Sequence, residues 1–179
     1  MSPYVLTKFI HVVAAVGFFA AFAAEWVGAN QLRRASAAEE ARGGISVCNR
    51  VRWVGAPSLI LALGSGIYLA VVAWSWQLGW IAVSLGSLVL MGVLGGAITG
   101  PKITALEKAL PDSGPLDRSW RARAADPLLA LSLRLRIAIA LGILFLMTVK
   151  LVQTWAALAA MAVAVIAGVA ASLPAWRRT

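Results

Sequence analysis

His11 is the single histidine of this chain, and it falls inside an apolar run that opens near Val5. An ionisable side chain within a membrane helix is costly and marks a functional position by default. A neutral imidazole there has two uses: it ligates haem iron or a metal ion, or it hydrogen-bonds between helices and needs no cofactor. Tyr68 lies six residues before Trp74, Met147 three before Lys150, and His11 about six from the start of its run. At about 1.5 Å per residue, all three sit within about 10 Å of one membrane face. That depth makes Met147 the best-placed second axial ligand and Tyr68 a hydrogen-bonding partner, with haem b the implied cofactor. Met91 is deeper. Each of these residues also reads as ordinary core packing.

Glu25 follows His11 by fourteen residues, about 21 Å along a helix, too far for one small cofactor to use both. Arg134 and Arg136 lie at the depth of Glu25 and point roughly 160° apart on a helix, so one faces the bundle while the other snorkels. An ion pair of Glu25 with Arg134 or Arg136 is the economical reading. A proton relay needs further carboxylates at intermediate depth, and the sequence has none. Gly92, Gly96 and Gly100 form two consecutive GxxxG units, with Ser84, Ser87 and Gly95 extending a lean surface. Such a face packs helices closely, within one chain, against a second copy or against another membrane protein. Close approach to a flat cofactor is its other use.

Several absences narrow the chemistry. No His/Cys/Asp/Glu group has metal-ligand spacing, no glycine pattern reads as a Walker or dinucleotide loop, and no serine has a His and Asp arranged around it. A self-sufficient hydrolase or nucleotide-driven pump is excluded on that ground, and a non-enzymatic role is expected. Cys48 stands alone, so neither a disulfide framework nor a cysteine zinc site can form within the chain.

The elements that must position these residues follow from hydropathy. Of 179 residues, 61% are hydrophobic, and the mean hydropathy is +0.84, well beyond the soluble range. Five segments are long enough to cross a bilayer, which takes about 20 residues each. They run over about 5–30, 53–74, 80–100, 128–149 and 155–173, with polar loops at 31–52 and 101–127. Leu128–Leu173 is 46 residues, about 69 Å of helix, so a tight turn at Lys150–Thr154 must split it. Lys102–Leu110 reads as a short helical extension beyond the membrane. Ala21-Phe22-Ala23 mimics a signal cleavage site, yet almost no basic residues precede the run and Arg33 and Arg34 follow it, so an uncleaved helix is expected. The expected fold is a single all-α domain, a bundle of five transmembrane helices.

Charge orients the bundle. Arg33, Arg34, Arg42, Arg50 and Arg52, then Lys102, Lys108, Arg118, Arg121, Arg123, Arg134 and Arg136, then Arg177 and Arg178 share one side if there are five helices. Only Lys8 and Lys150 fall opposite. The positive-inside rule then puts the N-terminus outside and the C-terminus in the cytoplasm. The tryptophans divide the same way: Trp74, Trp76, Trp80 and Trp155 at the outer interface, Trp26, Trp53, Trp120 and Trp176 at the inner one. The net charge of +9 is therefore a topology signal rather than a nucleic-acid site, and the partner it implies is the lipid bilayer.

The opening Thr7-Lys8-Phe9-Ile10-His11-Val12-Val13-Ala14-Ala15-Val16-Gly17 resembles the Lys-x-x-His start of a family of small bacterial integral membrane proteins. The CopD-like copper-resistance proteins and the HemJ-type protoporphyrinogen oxidases are its relatives. Gly64-Ser65-Gly66-Ile67-Tyr68, the Trp74–Trp80 hairpin and Leu146-Met147-Thr148-Val149-Lys150 look like landmarks of the uncharacterised members. The resemblance implies a multi-pass protein of the bacterial inner membrane that holds haem or a metal through His11. HemJ-type proteins carry Pro-Arg and a second His where this chain has Trp26-Val27-Gly28-Ala29-Asn30-Gln31, so their oxidase activity is not carried over. Two other readings stand beside it: a scaffold or accessory subunit docking through the third helix, and a small-solute or metal permease.

Overall fold

A computed structural model describes residues 2–73 and 78–176, the last three by backbone alone. The described chain is all-α: α1 (Pro3–Arg34), α2 (Ala38–Ala73), α3 (Gly79–Leu94), α4 (Gly100–Lys108), α5 (Arg118–Ala124), α6 (Pro127–Val149) and α7 (Thr154–Trp176). A π-helical turn, Gly95–Thr99, joins α3 to α4 without a break. Five helical stretches are long and apolar enough to cross a membrane. Their outward faces carry Val16, Ile60, Val163 and Ile166 exposed, the surface a lipid-facing bundle presents.

Local sequence explains most boundaries. Ser2 caps α1 and Pro3 follows at a position where the missing N–H costs nothing. Asp126 caps α6 through the Leu128 amide, again with a proline first. Lys150 ends α6 in the left-handed conformation, φ 56°, donating its amide to the Leu146 carbonyl. The turn expected at Lys150–Thr154 is there, and it receives the start of α3: the amides of Gly79 and Trp80 donate to the carbonyls of Val152 and Leu151.

The loop expected over residues 31–52 is mostly helix. The 32-residue α1 and the 36-residue α2 are about 48 and 54 Å long, well beyond a hydrocarbon core of about 30 Å. Both overrun at the end of the bundle that carries the arginines, here called the basic end, where Ala35–Ala37 turns the chain. The overrun is amphipathic enough to build a second core. Leu32, Ala38, Ala41 and Ile45 pack there with Ile103, Leu106, Leu116 and Trp120. Gly28 and Gly44 allow it: a Cβ on Gly44 would stand 2.9 Å from the Gly28 carbonyl oxygen, so the two backbones meet without side chains between them.

The polar stretch 101–127 closes over this second core. The Ala38 amide donates to Gly114 and the Leu116 amide to Ser36, a single antiparallel bridge pinning the loop to the α1–α2 corner. Arg42 adds a hydrogen bond to the Asp112 carbonyl. Asp117 caps α5 through the Trp120 amide, and Lys102 pairs with Asp126.

Two tryptophans depart from the interfacial pattern. Trp53 and Trp155 are 84% and 73% exposed, as an aromatic belt requires, while Trp120 is 2% exposed and donates its indole N–H to the Leu106 carbonyl. Trp80 is buried too. An indole satisfied by a carbonyl inside the protein has no need of the headgroup layer. Trp74, Trp76, Arg177 and Arg178 lie outside the described residues, and the side chain of Trp176 does as well.

Candidate functional site

His11 projects from α1 onto α2, one turn of which supplies the hydrogen-bond partners of its ring. Nδ1 stands 3.1 Å from the Ala62 carbonyl oxygen and 3.0 Å from the Ser65 hydroxyl. A carbonyl oxygen only accepts, so in the neutral ring Nδ1 carries the proton. Ser65 agrees, because its hydroxyl donates to the Leu61 carbonyl and leaves a lone pair for the imidazole. Nε2 is thereby left with its lone pair. Gly66 makes the seat possible, since a Cβ there would be 3.1 Å from Cε1 of the ring.

This is one half of the chemistry assigned to His11. Metal-bound histidines hold the other ring N–H on a carbonyl or carboxylate, which fixes tautomer and orientation. His11 would therefore hold a haem iron or metal ion through Nε2. Tyr68 is exposed, Met147 packs against the membrane core, and neither gives His11 a hydrogen bond. Among the described residues no three His, Cys, Asp or Glu side chains gather as a metal cluster. The neighbours Ala62, Ser65 and Gly66 are invisible to composition, although the Gly64–Tyr68 landmark contains two of them.

A second site lies towards the basic end. Oε2 of Glu25 stands 2.8 Å from Nη1 of Arg136, and the Arg136 guanidinium lies 4.5 Å over the Phe22 ring. Both partners are nearly enclosed, at 8% and 6% exposure. Arg134 turns the other way and donates to the Ala171 carbonyl at the end of α7. Of the two arginines that could reach Glu25, α6 presents Arg136.

The pair forms one wall of a cavity of about 410 Å³ lined by α1, α2, α3, the π-turn, α4 and α6. Arg52 enters from α2 and donates to the Gly100 carbonyl, 2.9 Å away. The α3–α4 side of the lining is rich in glycine: Gly92, Gly95, Gly96 and Gly100. The expected GxxxG stripe is not a continuous packing seam. Gly92 faces Leu59, Gly100 faces Arg52, and Gly96 has open space where a Cβ would be. Gly95, off the stripe, is the glycine against the Arg136 guanidinium. The π-turn is the reason, because an extra residue per turn breaks the four-residue spacing. Beside it Ser132 donates to the Leu94 carbonyl and is itself bonded to Thr99 at 2.9 Å.

These features define the class: an all-α, multi-pass membrane protein with a seated imidazole in one half and a charged cavity in the other. Comparison with protein-family models, with curated proteins and with solved structures finds no match for the chain.

Proposed function

We propose that this chain is a multi-pass protein of the bacterial inner membrane, N-terminus outside and C-terminus in the cytoplasm, that holds one haem b or metal ion through His11. The carrying observation is the Nδ1–H bond to the Ala62 carbonyl, which leaves Nε2 as the only ring nitrogen able to bond a metal. Ser65 reinforces that tautomer, and Gly66 gives the ring its place on α2. The resemblance to CopD-like and HemJ-type proteins, carried by the Lys-x-x-His start, points the same way. A haem so held supplies one-electron exchange. The chain's own part is to orient the imidazole and keep it unprotonated at Nε2.

Orientation follows the basic residues. The cap at the basic end carries Arg34, Arg42, Lys108, Arg118, Arg121 and Arg123, the side that stays in the cytoplasm. The test of the cofactor is one absorbance spectrum of protein purified from haem-replete cells, oxidised and then reduced with dithionite. A Soret band that shifts on reduction and is lost in His11→Ala is expected. A colourless, metal-free protein would leave the scaffold reading, in which His11 only ties α1 to α2.

A further inference from the structure

We propose that the cavity beside Arg52 and Arg136 is a binding site for the oxyanion headgroup of a lipid-like amphiphile, entered sideways from the leaflet at the basic end. It is separate from the His11 site, which contributes no residue to it.

The charge balance is the first argument. The lining carries Arg52, Arg136 and Glu25, two cations against one carboxylate. Glu25 meets Arg136 through Nη1, 2.8 Å from its carboxylate, yet Nε of that buried guanidinium has no acceptor. A buried N–H without an acceptor is destabilising, more so when the group is charged. Something that accepts hydrogen bonds and carries negative charge would relieve it. Phosphate and carboxylate oxygens do both, and a planar guanidinium matches them in pairs.

The gradient along the cavity is the second. Arg52, Glu25, Gly100 and Pro101 line its basic end, whereas Phe18, Leu59 and Met91 line the end nearer mid-membrane. A headgroup at one end and an alkyl chain at the other is the distribution an amphiphile needs. A free inorganic anion would have no use for the apolar half.

Access is the third. Three lining residues, Ala56, Gly96 and Pro101, are exposed on the outside of the bundle. They lie on α2 and on the α3–α4 helix, so the mouth opens between those helices, where the bilayer would be. The glycine wall keeps that mouth clear, and at Gly96 nothing stands within 4 Å of a built Cβ.

The experiment is native mass spectrometry of the full chain in dodecyl maltoside, titrated with dodecyl phosphate, inorganic phosphate and dodecyltrimethylammonium. One dodecyl phosphate should bind, at least tenfold more tightly than either other probe. Arg52→Gln should weaken it about tenfold. Gly96→Leu fills the mouth without touching a charge and should abolish binding while the protein keeps its wild-type melting temperature. Equal affinity for inorganic phosphate would overturn the membrane source of the anion. Equal affinity for the cationic amphiphile, or binding unaffected in both variants, would overturn the site.

Discussion

Oε2 of Glu25 lies 2.8 Å from Nη1 of Arg136, and Phe22, one helical turn before Glu25, lies under the same guanidinium. Two charges are thus taken out of water together and closed between an aromatic face and a glycine backbone. Such a pair is weak evidence of net stabilisation, because desolvation offsets much of the attraction. Its removal by halves is another matter.

Glu25→Ala should destabilise the protein by about 3–5 kcal/mol, since it leaves Arg136 buried without its counter-charge. Glu39→Ala, on a side chain that is 84% exposed, should change little. The double variant Glu25→Gln with Arg136→Gln should lose less than the two single changes summed, because the sites are in contact. Melting curves in one detergent decide it. Equal midpoints for Glu25→Ala and Glu39→Ala would remove the pair from the account of stability.

The topology has a direct test. A reporter fused after Thr179 should be active in the cytoplasm, because only an odd number of crossings puts both ends on opposite sides and gathers the basic residues on one. Periplasmic activity at that position would overturn the orientation.

Trp120 anchors the second core by packing and by its bond to the Leu106 carbonyl. Trp120→Ala should cost about 3–5 kcal/mol, as loss of a buried large aromatic does. Trp120→Phe should cost about 1 kcal/mol, the worth of the hydrogen bond. Acrylamide quenching gives an independent readout, in which the Trp120 contribution resists the quencher. If removal of Trp120 leaves stability and quenching unchanged, the cap is not a core.

Asp117 makes that cap acid-sensitive. The Trp120 amide, the Ser119 hydroxyl and then nearby Arg123 and Arg121 hold its carboxyl below the usual range. A depressed folded pKa means that stability is present above the unfolded value of about 3.9 and is lost as pH falls through the lower folded one. Asp117→Ala should therefore lie below wild type at neutral pH, and the gap should narrow only below about pH 4. A gap that stays constant down to pH 2 would show that the carboxylate charge plays no part.

What the sequence determined alone is the set of crossings. Hydropathy over about 20 residues is a local property, and the length of Leu128–Leu173 against the thickness of a bilayer required a turn near Lys150 before any packing was known. It also put Glu25 at the depth of two arginines. Which arginine answers depends on how α6 is rotated about its axis, and that rotation is set by packing against α7 and against α3, which is far away in the chain. Tertiary structure alone decided for Arg136, carried α2 past the membrane into a second core, and buried Trp120 where an interfacial ring was expected. It also set a π-turn across the glycine stripe. Spacing by fours presumes an unbroken α-helix, so the stripe read as a packing seam. With one turn widened, Gly95 and Gly96 open a cavity beside Arg136 instead. Depth is written in one dimension, but facing is a property of the assembled bundle.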